Sequence, residues 1–443
     1  MMPRINKFSR AQGNILVITM VVTFLLGSAI ASYLMLVQTQ HLSVARSQAW
    51  NAALALAESG IEDGMAQVNV SFGTNYLSSV QTNWGGAAGT YGPKTVALGG
   101  DSYSAIIIEG SPGPTIIATG YTTIPLSSKT LKRTVQITTT PAFAFGGAIA
   151  ALQNVTMNGN NITVDSYDSS DPLHSDANGN YDPATRKAGG DISSTGGLLN
   201  VGNADIYGHV RTAPFGDAST GPNGQVGDLN WSPTGGAGQA RIQTGWYIND
   251  YNADFPDVTV PSLTNPSDVV KNGTGTNTYE LANGDYFVNG SFTVANKETV
   301  LITGKVRLYV TGDFTMTGQN GSYISIAPGA TLQLYVGTES GPAVSTTFLT
   351  VNNAGNAANF QYYGLPSNTS ASWSGNASYI GTVYAPEAQF TLNGGGNNST
   401  RNYQGSCVVK SVIMNGHFNF HYDEALKHTG PVSGYTIASW REL

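Results

Sequence analysis

Asp165, Asp168, Asp171, Asp176 and Asp182, with Asn178 and Asn180 between the last two, form the most oxygen-rich stretch of this chain. A calcium ion takes six to eight hard oxygen ligands, and Asp176-x-Asn178-x-Asn180-x-Asp182 has the alternate spacing of a Ca²⁺ loop. The stretch departs from an EF-hand at three places: Tyr181 holds the sixth position, Gly179 the fourth, and Lys187 replaces the bidentate glutamate at the twelfth. Asp176, Asn178, Asn180 and Asp182 are the metal candidates, and calcium is the one cofactor that the chain suggests. The competing reading is a solvated cluster of Asp and Asn turns.

His417, Asn419, His421 and Asp423 alternate along a second polar stretch. In an extended strand the two histidine Cα atoms are roughly 13 Å apart, too far for both imidazoles to bind one zinc ion. His421 and Asp423 are closer, about 6.6 Å, and can form a hydrogen-bonded pair. The alternative is a polar strand edge facing solvent. Paired carboxylates of the kind that cleave glycans need two acids on neighbouring strands. From Phe292 to Gly416 the outward positions are instead Thr, Asn, Ser and Gln, and no nucleotide-binding, serine-hydrolase or zinc-protease motif is present. No catalytic residue is assigned, and the chain is not expected to be an enzyme. A single cysteine, Cys407, excludes an intrachain disulfide and reads as a small core residue. A net charge of −7 disfavours nucleic acid as a partner.

The elements that would carry these residues are strands. After Pro141 the chain turns to Gly, Asn, Thr and Ser, yet charged residues make up only 11% and apolar ones 40%, which supports a core over a disordered tail. Phe390-Thr391-Leu392-Asn393-Gly394, Val412-Ile413-Met414-Asn415-Gly416, Val155-Thr156-Met157-Asn158-Gly159 and Phe314-Thr315-Met316-Thr317-Gly318 are versions of one phrase. Gly290 to Val294 repeats at a spacing of 22, Leu308-Tyr309-Val310 at 26, and Tyr379-x-Gly381 at 24. Each phrase alternates apolar with polar, and Asn-Gly supplies the positive φ of a sharp turn. Units of this length that cannot bury their own apolar face predict a parallel β-helix (β-solenoid) over 142–426, with a β-sandwich as the rival. Residues of about 160–266 are expected as a loop-rich insertion. Its Trp231, Trp246, Tyr247, Tyr251 and Phe255 are expected to plug the core rather than bind sugars or peptides. Residues 427–443 are expected as a C-terminal tail.

At the other end, Ile15 to Val37 is an uncharged, mostly apolar run behind Arg4, Lys7 and Arg10. As a helix it reaches roughly 30–35 Å, enough to cross a bilayer, and the cations keep the N-terminus in the cytoplasm. A signal peptide cut after Ala31 is the alternative, but the apolar run overshoots such a segment. Helix-forming residues continue without proline to Val68. Trp50, Leu54, Ala57, Ile61, Met65 and Val68 are expected to form the buried stripe, flanked by Glu58 and Glu62, with Asp63 on the opposite side. The runs 103–108, 115–121 and 133–138 read as three strands that would cover that stripe within a small β-rich region, 70–141.

The N-terminal residues resemble a known family. Arg10, Gln12, Gly13 and Asn14, the apolar run, and Ala57-Glu58-Ser59-Gly60-Ile61 are similar to the start of PilX-type minor pilins and pseudopilins. The resemblance implies a leader, 1–13, cut by prepilin peptidase after Gly13, a mature start at Asn14, a filament-core helix over 14–69 and a β-rich head. Most pilins carry a glutamate five residues after the cut; here Ile18 stands there. That departure favours a minor or tip subunit over a bulk one. The C-terminal stretch from Gly381 to Leu426 resembles the end of an uncharacterised, β-helix-like domain found behind such anchors in Gram-negative envelope proteins.

The expected protein is mainly β: a long N-terminal transmembrane and amphipathic helix, a small α+β head and a parallel β-helix with long loops. It would be a single-pass protein of the bacterial inner membrane with its bulk in the periplasm or at the cell surface. Its partners would be the inner membrane and pilin-like subunits of a type IV pilus or type II secretion machine, with a surface or glycan ligand. An adhesive β-helix that uses only the anchor, and a glycan-processing β-helix enzyme, are the alternatives.

Overall fold

The computed structural model describes residues 11–69, 76–125, 129–272, 277–318, 322–354, 356–374, 378–394, 402–417 and 419–443. Residues 1–10 of the expected leader lie outside these. Helix α1, Ala11–Asn69, runs 59 residues without a break, roughly 90 Å at 1.5 Å per residue. The chain is mainly β beyond it and divides into two compact units, Met1–Pro141 with Tyr435–Leu443, and Ala142–Gly434.

In the first unit, α1 and the short α2 (Tyr76–Trp84) cover one face of a six-stranded sheet. Its strands are β1 (Gly86–Ala87), β2 (Thr90–Leu98), β3 (Asp101–Ile108), β4 (Thr115–Thr123), β5 (Thr130–Phe143) and, on the far edge, the final strand Val432–Glu442. The three expected strands are present as β3 to β5, antiparallel in sequence order. Alternation along them places Ala105, Ile107, Ile116, Ala118, Val135 and Ile137 in the core.

The helix stripe is the expected one at Ala57, Ile61 and Val68, with Leu54 and Met65 partly buried against the same core, and it differs at Trp50. Ala49, Ala53, Ala57, Ile61 and Val68 are buried, whereas Trp50 is 48% exposed and carries the Arg133 guanidinium over its ring at 4.6 Å. The cause is close approach: a Cβ on Gly120 would lie 2.1 Å from the Ala53 carbonyl oxygen, and one on Gly60 2.8 Å from Ala118. Only small side chains fit where helix and sheet nearly touch, so the large ones are displaced to the sides. Asp63 is not on the opposite side either. It accepts hydrogen bonds from Lys94 at 2.9 Å and from the Tyr103 hydroxyl at 3.1 Å. Lys94 comes from β2, a strand whose alternation is interrupted by Gly92 and Pro93.

The second unit is built from three ladders of parallel strands. Along the first, Gly284–Val288 pairs with Lys305–Val310, then Thr331–Val336, then Phe360–Gly364, and so on through the first half of Asn402–Asn415. The second begins with Phe292–Val294 on Phe314–Met316, and the third with Tyr279–Leu281 on Thr299–Ile302. From Tyr279 to Asn415 each strand pairs in parallel with a strand later in the chain. Inward side chains form one continuous core, with Tyr379, Tyr403 and Phe420 stacked at 4.7 and 4.2 Å. Cys407 is fully buried in it, and burial pushes its thiol well up.

The order of the rungs is not the order of the sequence. Asn402–Asn415 pairs onward with Ile149–Ala151 and Val155–Met157, and Asn419–Asp423 with Asn160–Tyr167. Ile192–Ser194, Leu198–Ile206, Val210–Thr212 and Asp217–Thr220 then continue the stack. Residues 160–266, expected as an insertion, therefore supply several rungs. Their strands are short and rich in Gly, Asn and Ser, so the apolar phrase is diluted there. Two of the excursions that remain among the described residues pack over the ladders. Residues 168–189 form one. Residues 249–266 form the other and run along the outside, from the Thr212 carbonyl (bound by Tyr251 N–H) past Tyr384 and Glu339 to Asp285. Phe255 of this strap is buried in the core, while Trp246, half-buried, stacks on His209 at 4.4 Å. The expected tail 427–443 is also corrected, because its final strand completes the first unit's sheet, with Glu442 paired to Arg133.

Candidate functional site

The two polar stretches singled out in the sequence meet. Along Asn419–Asp423, Phe420 and Tyr422 point into the core, so alternation turns His421 and Asp423 to the outer face of the sheet. Asp165 and Tyr167 are their register partners on the neighbouring strand. Outward residues would ordinarily be wet. Here the excursion 168–189 folds over them, leaving His421 2% and Asp165 0% exposed.

Under this flap, His421 Nδ1 and Asp165 Oδ1 are 2.5 Å apart. The other oxygen of Asp165 accepts from the Tyr181 hydroxyl at 2.8 Å and from Arg186 at 3.4 Å. The Tyr181 ring stacks on the imidazole, with centroids 3.4 Å apart, and Arg186 lies over Tyr207. Burial, with the Asp165 charge adding to it, raises the Tyr181 hydroxyl well above its ordinary pKa, so it remains a donor. At the rim, Glu424 accepts from Lys187 at 2.6 Å and from Ser166 at 2.8 Å. Burial pushes Glu424 up, but Lys187, Ser166 and Lys427 together outweigh it and hold the carboxyl below its usual value.

Three buried polar atoms of this cluster have no partner among the described residues: His421 Nε2, Asp423 Oδ2 and Ser169 Oγ. An acid–base pair of this kind can move a proton only if a substrate reaches it, and the flap closes it off. What the arrangement does is latch the flap to the sheet.

The calcium candidates lie in the flap. Asp176 Oδ1 accepts the backbone N–H of Asn178 and of Asn180, each at 2.8 Å, and Asp182 Oδ1 accepts from Ala184 at 2.9 Å. The Asn180 N–H, first among these contacts, holds the Asp176 carboxyl below its ordinary pKa. To bind calcium, these oxygens would have to exchange their turn donors for the ion. Among the described residues no three His, Cys, Asp or Glu side chains converge as a metal site would require. His417 stands apart from His421 and contacts Asn161.

The lone oxygen of Asp423 gives a testable sign. Burial is the largest influence on it and raises its pKa above 3.8. The folded state therefore binds this proton more tightly than the unfolded chain. That contribution is fully present below the unfolded pKa and is lost as pH rises through the folded one. Asp423→Asn keeps an acceptor for Ser169 and Ala425 N–H and removes the buried charge. At neutral pH the variant is expected to be more stable by about 1–2 kcal/mol, with the gain vanishing toward pH 4. Thermal melts across that range check it; a variant less stable at neutral pH contradicts it.

Processing candidates Gly13 and Asn14 lie in the first turns of α1. From Ile15 to Leu36 the large apolar side chains are 47–75% exposed, and the helix is long and apolar enough to cross a membrane.

Residues 236–429 match a family described as a domain of unknown function, DUF7305. No curated protein matches the chain. Among solved structures, the competence-associated pilin ComZ from Thermus thermophilus is 11% identical, covering 88% of this chain and 97% of its own, with a TM-score of 0.28. The Shewanella frigidimarina ice-binding protein_1 DUF3494 domain is 13% identical, covering 64% of this chain and 98% of its own, with a TM-score of 0.25. Overlaps this loose transfer neither a fold nor a ligand.

Proposed function

We propose that this chain is a membrane-anchored, pilin-like protein, a minor subunit or tip component of a type IV pilus or type II secretion-like assembly. On this reading it displays a parallel β-helix outside the cytoplasmic membrane. The observation that carries the proposal is the division of labour along one unbroken helix. The first half of α1 presents Leu, Ile, Val and Phe on all sides and needs an apolar surrounding. The second half packs on an antiparallel sheet through Ala49, Ala53, Ala57, Gly60 and Gly64. A helix that only anchored the protein could stop at the bilayer surface. A shared rod, half in apolar surroundings and half sheet-covered, suits a subunit that stacks beside others. Ile18, in place of the pilin glutamate, is consistent with an end or minor position. The β-helix reading rests on the three parallel ladders. We assign it display or adhesion rather than catalysis, since the His421–Asp165 pair is shut from solvent.

The N-terminal residue of the mature protein, taken from membranes and from sheared surface material, tests this. Asn14 is expected as the first residue, in both fractions. Gly13→Leu should leave the leader on and empty the sheared fraction. An intact Met1 in wild-type protein confined to membranes would overturn the pilin part and leave an anchored β-helix.

A further inference from the structure

The outer face of the first ladder carries a column of polar side chains in register. Asp285, Arg307, Gln333 and Gln361 occupy the same register position on four successive strands, one rung apart, about 4.8 Å. They line the floor of a groove of about 350 Å³, with Lys305 at one side and the short 3-10 turn Ala357–Asn359 as a wall.

The floor is preorganised. Gln333 Nε2 donates to Gln361 Oε1 at 2.9 Å, and the Tyr363 hydroxyl donates to the same oxygen at 3.0 Å. Arg307 and Asp285 lock each other through two bonds, at 2.8 and 2.6 Å, and the strap's Thr264 N–H holds Asp285 from the far side. These contacts fix both amide planes yet use only part of their capacity. Gln333 keeps a carbonyl oxygen, and Gln361 keeps both amide hydrogens. Charge is nearly balanced. The Arg307–Asp285 pair cancels, and among the described residues the Lys305 ammonium has no carboxylate partner, so the groove carries one free positive charge.

We propose that this groove binds a short segment of an acidic polysaccharide, with vicinal hydroxyls on the Gln333 and Gln361 amides and a uronate carboxylate on Lys305. The free Gln333 oxygen and the free Gln361 amide hydrogens, one rung apart, match the donor and acceptor of adjacent sugar hydroxyls, and polar side chains in register on four successive strands suit a polymer lying along them. One cation is too few for a nucleic-acid backbone. The groove lies wholly within the second unit, so the inference goes beyond the pilin reading, and processing at Gly13 is read independently of it.

Isothermal titration of the full chain in detergent, with tetragalacturonate and with cellotetraose as probes, tests the assignment. Saturable binding of tetragalacturonate is expected. Gln333→Ala with Gln361→Ala should weaken it at least tenfold, and Lys305→Gln should weaken it while leaving the melting curve unchanged. The Lys305 variant removes a solvent-facing charge only, so it reports even if the double variant fails to fold. Absence of saturable binding, or binding that neither variant alters, overturns the site. Cellotetraose bound as tightly as the uronate overturns its acidic assignment.

Discussion

Gly416→Val is expected to cost at least about 3 kcal/mol and to lower the melting temperature by roughly 6–12 °C. Gly416 has φ +106, and a Cβ there would lie 1.9 Å from the Gly394 carbonyl oxygen. One rung on, a Cβ at Gly159 would lie 1.9 Å from the Gly416 oxygen. Three glycines thus stack backbone on backbone at one corner. Beside them runs a column of amides, Asn415 donating to Asn393 at 3.1 Å and Asn158 to Asn415 at 3.2 Å. A side chain at Gly416 would meet carbonyl backbone, which cannot move without breaking the ladders on both sides. Gly329→Ala is the control. It has φ +77 but open space around it, so only backbone strain of about 1–2 kcal/mol is expected. Equal losses at the two sites, read from thermal melts, would mean that crowding is not the reason for the glycine.

The Asn-Gly phrase is also where the sequence was most legible. Phe390, Val412 and Val155, the first residues of three phrases, are direct register partners. The spacings of 22, 26 and 24 correspond to the pairs Phe292 with Phe314, Leu308 with Leu334, and Tyr379 with Tyr403. A parallel stack writes its register into the sequence because each inward residue must match the one below. Where a second constraint competes, the pattern fails to report. Along α1, periodicity located the helix and most of its stripe, but the closest approach to the sheet was set by small residues, Ala53, Ala57 and Gly60, and Trp50 is left at the side. The pair at the candidate site was hidden for a different reason. His421 and Asp165 are separated by 256 positions, and no local rule places one above the other. Read singly, each stretch suggested a metal loop or a wet strand edge, and the flap that makes them a dry pair reads in sequence as Asp and Asn turns, with nothing local to show that its Tyr181 and Arg186 reach Asp165.

A chain ending at Gly394 is expected to lose the fold of residues 149–226 while keeping that of 284–363, even though the deletion is far from the first and near the second. Ile149–Ala151 rests on Cys407–Val409, Val155–Met157 on Val412–Met414, and Thr163–Tyr167 on Asn419–Asp423. Removing that rung leaves one side of each strand without backbone partners and exposes Val155, Met157, Ile162 and Val164, all now buried to within 1%. Asp165 loses His421 and remains against Arg186 and Tyr181. The later rungs, from Ile192–Ser194 to Asp217–Thr220, stand on these strands and have nothing else beneath them among the described residues. By contrast, 284–363 pairs in sequence order, each strand with its neighbour one circuit away, so its contacts survive. Hydrogen exchange resolved by peptide reads both regions in one experiment. Protection lost in 149–226 and retained in 284–363 is the expected result; protection retained in both would contradict the non-sequential stack. The same topology makes closure costly in the intact chain. A contact across 256 positions forms only after the intervening coils are in place, so the first rungs synthesised are expected to be the last to fold. Refolding followed by pulsed exchange should show 284–363 protected before 149–167.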